Sequence, residues 1–225
     1  TASDVEVWAQ ATGASPDEVA RLVDLAAADV SESTSWRSMG AARRQAEVAA
    51  TEARCMGIRG FQPAIIPGLF QTREYATAVM KAIFPPEKHG EIAEAAARRL
   101  ARQAILDDES RQFRFVLTEG ALRWRAGSSR VMAEQGRHLV ALSARPNVTI
   151  SVVTFSMAPP VLYLNGFLLF DEAETSTAMV EIHSAELLFR KPADLAVYSR
   201  AVDLAVGSAV SGRAAGKLIR AFTSR

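Results

Sequence analysis

The chain has 225 residues, of which 26 are lysine or arginine and 25 are aspartate or glutamate, so its formal net charge is +1. This balance, with an ordinary apolar content of 49%, excludes a strongly basic nucleic-acid coat protein and an acidic disordered chain. The single Cys55 excludes an intramolecular disulfide and a cysteine-based zinc cluster. No apolar run of membrane-spanning length and no secretory leader is visible, so we expect a cytoplasmic protein with no membrane partner.

The N-terminal residues differ in charge from the rest of the chain. Residues 1–35 carry seven acidic side chains and one basic side chain, so the remainder carries a net charge of +7. We therefore predict a small acidic helical unit over residues 1–30 and a larger unit over residues 36–225. Ser15, Pro16 and Glu18 form the capping pattern of a helix start, and the polar residues 31–35 are predicted to be a linker.

Helical and strand-like periods alternate along the larger unit. Helices are predicted over residues 36–55, 72–84, 88–106, 121–124, 129–143, 192–206 and 211–222. Strands are predicted over residues 58–66, 113–118, 148–155, 164–170 and 177–183, the last two as a hairpin. The predicted fold class is α+β, an antiparallel or mixed sheet covered by helices, with a short all-helical N-terminal remnant.

The signatures of common enzymes are missing from the sequence. There is no G-x-S-x-G elbow and no glycine-rich strand–helix turn, and the three histidines lie far apart. We therefore expect no bound cofactor and no metal. Cys55 falls at the C-terminal end of a predicted helix, which is the wrong end for an activated thiol, so we expect a buried structural cysteine.

Glu181 and His183 are the pair of side chains closest to a catalytic arrangement. They lie two residues apart on a predicted strand and share one of its faces with Met179. The residues favour a face that is simply exposed to solvent. The alternative is a cavity wall on which Glu181 and His183 act as a base and its orienting partner, or hydrogen-bond a ligand. Tyr163 is the aromatic candidate in that enzyme interpretation.

Two further features suggest binding surfaces. Residues 98–145 contain ten arginines and five acids, but arginines scattered over several elements seldom converge, so we do not expect this region to bind nucleic acid directly. Residues 157–163 form an apolar loop, which either fills the core or meets a partner.

Several motifs, in order, resemble those of the WhiJ-like group of actinobacterial regulators. They are Ile66-Pro67-Gly68-Leu69-Phe70-Gln71-Thr72 with Tyr75-Ala76, Arg99-Leu100-Ala101-Arg102-Gln103-Ala104-Ile105-Leu106, Glu119 with Leu122-Arg123, Pro146-Asn147-Val148-Thr149-Ile150, and Gly166-Phe167. The resemblance covers about residues 36–225. Residues 1–28 resemble the last two helices of an XRE-type helix-turn-helix, so the recognition helix is expected upstream of Thr1.

The resemblance implies a transcription regulator rather than an enzyme. Its C-terminal domain would bind a small protein or a small-molecule effector, and DNA would be contacted only through the missing N-terminal segment. A homodimer is expected, with the last helix as a possible dimer element. The candidate ligand or partner surface consists of Gln71, Tyr75, Met157, Tyr163, Met179, Glu181 and His183. An enzyme derived from such a regulator, acting on a small molecule in the same cavity, is the alternative.

Overall fold

A computed structural model describes residues 2–27, 33–35, 41–157, 165–173, 176–182 and 185–224. The α-helices in these ranges are α1 (Ala2–Ala11), α2 (Pro16–Ala27), α3 (Ala41–Arg54), α4 (Arg73–Ile83), α5 (Ile92–Ala101), α6 (Glu119–Arg123), α7 (Ser129–Leu142), α8 (Pro192–Gly207) and α9 (Gly212–Thr223). The strands are β1 (Ser33–Ser35), β2 (Gly57–Gln62), β3 (Gln112–Thr118), β4 (Val148–Val153), β5 (Phe167–Asp171), β6 (Ser176–Glu181) and β7 (Ala185–Phe189). None of these helices is long and apolar enough to cross a membrane.

The strands form one mixed sheet in the order β1-β7-β6-β5-β2-β3-β4. β2, β3 and β4 run parallel to one another, and every pairing from β2 through β5 towards β1 is antiparallel. β2 is therefore the strand at which the sheet changes from parallel to antiparallel pairing. The predicted α+β class, with a mixed sheet covered by helices, is confirmed.

Both faces of the sheet are buried. Phe113, Phe115 and Leu117 of β3 belong to a core cluster shared with α4, α7 and α9. Val116, which points to the opposite face, packs in a second cluster with Val202 of α8. A strand covered on two faces is apolar on both, which is why the alternation along β3 is incomplete.

Two helix starts follow their predicted caps. The Thr72 side chain accepts a hydrogen bond from the Tyr75 amide at the start of α4. At the start of α2, the Glu18 carboxylate accepts from the Ser15 amide at 3.0 Å, and the Glu18 amide donates to the Ser15 hydroxyl at 3.3 Å. This reciprocal pair is the capping box expected from the sequence.

Three predicted boundaries are wrong. Residues 33–35 of the predicted linker form β1, which pairs with β7, a strand that was not predicted. The strand predicted over 58–66 ends at Gln62, because Pro63 has no amide hydrogen to continue a ladder. The helix predicted over 88–106 is divided into a 3-10 helix over Pro86–Glu91, α5, and a second 3-10 helix over Arg102–Asp107.

Some predictions fall on residues that the structure does not describe. Residues 28–32, 36–40, 158–164 and 183–184 are outside the described ranges. They include parts of the predicted linker, of the predicted helix over 36–55, of the apolar loop and of the hairpin.

The last helix packs on its own domain. α9 buries Ala215, Ile219 and Thr223, and its closest approach to α7 is at Gly136. A side chain added at residue 136 would place Cβ 1.9 Å from the Thr223 hydroxyl oxygen and 2.8 Å from Thr223 Cβ. Glycine is therefore the residue that allows the two helices to meet at this point.

Replacing Gly136 by alanine should separate α7 from α9. We expect the G136A substitution to lower the free energy of unfolding by about 1–3 kcal/mol, because the core is overpacked. The matched control is G207A in α8, where an added Cβ meets no atom within 4 Å. Urea denaturation of both variants checks this expectation, and equal stability of the two would contradict it.

Candidate functional site

A cavity of about 330 Å³ lies beside the carboxyl end of β2. Its walls include Pro63 and Ala64, which follow β2, Ile83 of α4 and Phe167 of β5. We call it the outer cavity. Its volume falls in the range of ligand pockets, about 300–1,000 Å³, and most of its wall is apolar.

A smaller cavity of about 70 Å³ adjoins the outer cavity, and we call it the inner cavity. The two share six lining residues, namely Gln62, Ile65, Ile83, Leu168, Met179 and Glu181. The inner cavity differs in polarity, because Arg44, Arg99 and Arg102 also line it. Together they form one site with an apolar outer part and a cationic inner part.

α3 supplies one wall of the inner cavity. Arg44, Gln45 and Val48 line it, and Glu52 follows one turn later on the same side of the helix. Gln45 is buried and Val48 nearly so. Gln45 and Glu52 thus point into the protein, where they meet Arg99 and Arg102 of the neighbouring segment.

Arg102 is bound by a carboxylate. Its Nε and Nη2 groups donate to the two Glu52 oxygens at 2.8 and 2.6 Å. The side chains are 8% and 2% exposed, respectively, so this is a buried bidentate ion pair. It joins α3 to the 3-10 helix that follows α5.

Arg44 lies between two glutamates of adjacent strands. Glu181 and Glu186 are directly opposite each other in the β6–β7 ladder. Arg44 donates from Nη2 to Glu181 and places Nε 3.9 Å from a Glu186 oxygen. Burial, reinforced by the nearby Glu181 and Glu47 carboxylates, raises the pKa of Glu186. The guanidinium offsets a repulsion that would otherwise destabilise the strand pair.

Arg99 has amides as partners instead of carboxylates. Its Nε donates to the Gln45 side-chain oxygen at 3.3 Å and its Nη1 to the Gln71 side-chain oxygen at 2.7 Å. Within the described ranges, no carboxylate forms an ion pair with it. Burial and repulsion from Arg102 and Arg44 lower the pKa of Arg99 to about 9, so the guanidinium is still charged at neutral pH.

Two of the sequence motifs meet at this guanidinium. Gln71 donates from Nε2 to the Ile66 carbonyl at 2.7 Å, which orients its oxygen towards Arg99. The Gln71 carbonyl accepts from the Gln103 side chain at 2.7 Å. An added Cβ at Gly68 would lie 3.4 Å from Arg99 Nε, so the segment passes close to the guanidinium.

Several residues predicted for the ligand surface have other positions. Gln71 is 1% exposed but lines the inner cavity. The prediction for Tyr75 is wrong, because this side chain is completely buried in the core and its hydroxyl accepts a hydrogen bond from the Ile66 amide. Met157 is partly buried and lines neither cavity. Tyr163 and His183 lie outside the described residues.

The face of β6 that was expected to be solvent-exposed is a cavity wall. Met179 is 5% exposed and lines both cavities together with Glu181. Glu181, at the end of this face, is exposed as expected, whereas Met179 shares the inner cavity with residues of α3 and α4, which the period of a strand cannot reveal. One Glu181 oxygen accepts from Arg44, and this ion pair engages the carboxylate that the enzyme interpretation requires as a base.

The residues that sequence reasoning missed are Arg44, Arg99 and Arg102. The sequence contained a signal for two of them. Arg99 and Arg102 belong to the motif over residues 99–106 and lie three residues apart, on one side of a helix. Their partners on α3 could not be assigned without the fold. Among the other arginines of residues 98–145, Arg98, Arg123 and Arg145 pair separately with Glu94, Glu119 and Asp107.

The described residues contain no group of three or more histidine, cysteine, aspartate or glutamate side chains that could hold a metal ion. Cys55 is buried, as expected, and its thiol donates to the Glu52 carbonyl. Burial raises the pKa of Cys55 to about 11.

Removal of the Glu52 carboxylate should leave Arg102 buried without its counter-charge. We expect E52Q to lower the free energy of unfolding by about 3 kcal/mol. The control E94Q removes the partner of Arg98 on the exposed side of α5, where the carboxylate is 59% exposed, and should change stability by less than about 0.5 kcal/mol. Urea denaturation at pH 7 compares the two, and an equal effect would contradict the buried pair.

The Cys55 thiol should be unreactive in the folded protein. A rise of the pKa from 9.0 to about 11 lowers its thiolate fraction at pH 8 about a hundredfold. Because the folded state keeps this proton to a higher pH, the thiol's contribution to stability is lost as the pH rises from 9.0 to about 11. Reaction with an aromatic disulfide reagent, with and without urea, measures the difference. Rates within about threefold of each other would contradict the assignment.

Comparison with protein families places these cavities in a known domain. A family described as a domain of unknown function, DUF5753, matches residues 45–221. The matched range begins on α3 and ends within α9, so it includes β2 to β7 and every named cavity residue except Arg44. No curated protein matches the chain. The match covers well over half of the 225 residues, and the chain belongs to the DUF5753 family.

Proposed function

We propose that this chain is the effector-binding part of a helix-turn-helix transcription regulator, and that a small molecule in the joined cavities controls DNA binding. The observation that carries the proposal is the site itself, an apolar cavity of about 330 Å³ beside an arginine-lined one that shares six of its lining residues. A concave apolar site with a few convergent polar groups is the usual form of a small-molecule site.

The position of the site supports the same function. The outer cavity includes the residues that follow the carboxyl end of β2, the strand where parallel pairing gives way to antiparallel pairing. Ligands of open α/β sheets bind in the crevice outside the carboxyl ends of strands, and the outer cavity lies outside the carboxyl end of β2. The two motifs around Gln71 and Arg99, which carry the resemblance to WhiJ-like regulators, meet at the inner cavity.

Two connections lead from the cavity wall towards the N-terminal helices. α3 contributes Arg44 and Gln45 to the wall and is the first helix after α2 in the chain. Arg44 also contacts Glu186 of β7, and β7 pairs with β1, which lies between α2 and α3 in sequence. A ligand that moves α3 or β7 therefore acts on the segment that leads to α2. It shifts the equilibrium by its difference in affinity for the two states.

In this proposal, DNA is contacted by a helix-turn-helix to which α1 and α2 contribute. α2 begins with Asp17 and Glu18 and has no basic residue in its last turn, so it is poorly suited to meet phosphates. The recognition helix is assigned to residues upstream of Thr1. A homodimer would place two recognition helices one DNA turn apart.

The regulator proposal is tested by fluorescence-anisotropy binding to promoter DNA from the protein's own locus. This chain and one carrying its natural upstream residues are compared at two salt concentrations. We expect only the longer chain to bind with sequence preference and a steep salt dependence, because phosphate contacts release counterions. Equal, non-specific binding by both chains would contradict the proposal and would favour the enzyme alternative. In that case E181Q should abolish turnover of a small-molecule substrate without loss of stability.

A further inference from the structure

The inner cavity holds a cation, Arg99, to which no carboxylate of the described residues is paired. Arg99 donates to the Gln45 and Gln71 side-chain oxygens, which are neutral. The two carboxylates that act on it electrostatically are Glu181 and Glu52, and each is engaged by another arginine. A ligand that brings negative charge to Arg99 gains charge-assisted hydrogen bonds, which are stronger in a partly enclosed site than in water.

The size of the inner cavity limits the charged group that fits. A cavity of about 70 Å³ has room for a few heavy atoms, since one water needs about 10–15 Å³ measured in this way. A carboxylate has that size and matches the planar fork of a guanidinium. A nucleotide, with its larger phosphate and sugar groups, exceeds it.

The outer cavity sets the nature of the rest of the ligand. Ala82 and Ile83 of α4 line it together with Phe167 and Leu168 of β5. Its charged lining residue is Glu181, at the junction with the inner cavity and paired with Arg44. An apolar body of several carbons gains free energy by leaving water for this space.

We propose that the effector of this domain is a small organic monoanion, a carboxylate with an apolar body, whose head group binds Arg99 in the inner cavity while its body fills the outer cavity. The inference rests on the proposed function, because it names the chemical class of effector for the same site. Glu181 sets the limit on charge: a second negative group near the junction would meet its carboxylate.

Calorimetric titration of this chain with octanoate, octanol and octylammonium tests the charge requirement on the unaltered protein. The three probes have bodies of equal length and differ in the charge of the head group. We expect octanoate to bind about tenfold or more tightly than octanol, and octylammonium to bind least, because only the carboxylate pairs with Arg99. Equal binding of octanoate and octanol, or absence of octanoate binding, would overturn the inference.

Adjacent arginines provide matched variants. R99M and R98M each remove one arginine from α5, but the Arg98 side chain is 51% exposed and pairs with Glu94 on the outer side of the helix. We expect R99M to weaken octanoate binding about tenfold or more and to leave octanol binding unchanged. R98M should bind both as the unaltered chain does. An equal effect of the two substitutions would show that general charge, and not this site, attracts the anion.

E181Q keeps the measurement informative if R99M does not fold. Removing the carboxylate at the junction should raise octanoate affinity severalfold, because it removes a repulsion. Lower octanoate affinity in E181Q would overturn the inference.

Failure of the proposed function can be distinguished from failure of this inference. If the proposed function is wrong, the longer chain does not bind DNA although octanoate still binds. If octanol and octanoate bind equally, the effector site stands and the anion class is wrong.

Discussion

Two ion pairs, Arg102 with Glu52 and Arg44 with Glu181, join α3 to its neighbours and leave Arg99 between them with amides as its partners. The pair with Glu52 ties α3 to the segment after α5, and the pair with Glu181 ties α3 to the sheet. Only the pair with Glu181 connects the helical layer to β6, and Arg44, Arg102 and Glu181 all line the inner cavity.

Burying a guanidinium without a carboxylate partner opposes folding, and a domain maintains such a group where function requires it. Hydrogen bonds from the surrounding structure orient one of its two partners, Gln71. Gln71 is fixed by the Ile66 carbonyl, and the neighbouring Phe70 carbonyl and Thr72 amide are held by the side chain of Gln135. This second set of contacts explains why residues in a short loop have defined positions, as a binding site demands.

Much of the fold was predictable from the sequence, and so were Gln71, Met179 and Glu181 of the candidate site, but its arginines were not. A local signal sufficed at the start of α4, where Thr72 caps the helix, whereas the signal of Pro63 at the end of β2 was overlooked. β1 escaped prediction because a three-residue strand has no period of its own and exists only through pairing. β7 escaped because its five residues, Ala185–Phe189, show no clear alternation of apolar and polar side chains. The arginine cluster escaped for a related reason. In the sequence, Arg99 cannot be told from an arginine on the surface of a helix. Its contact with α3, more than forty residues earlier, exists only in the folded chain.

A crystal structure of the chain with 8-bromooctanoate would locate both ends of an amphipathic anion, the carboxylate and the apolar tail. We expect carboxylate density within hydrogen-bond distance of the Arg99 guanidinium and an anomalous bromine peak beside Ile83 and Leu168 in the outer cavity. The surface groove lined by Arg123 and Phe222 is the alternative binding place for this anion, because it also combines a cation with an aromatic ring. Bromine in that groove, with the inner cavity free of ligand density, would contradict binding of the anion at Arg99.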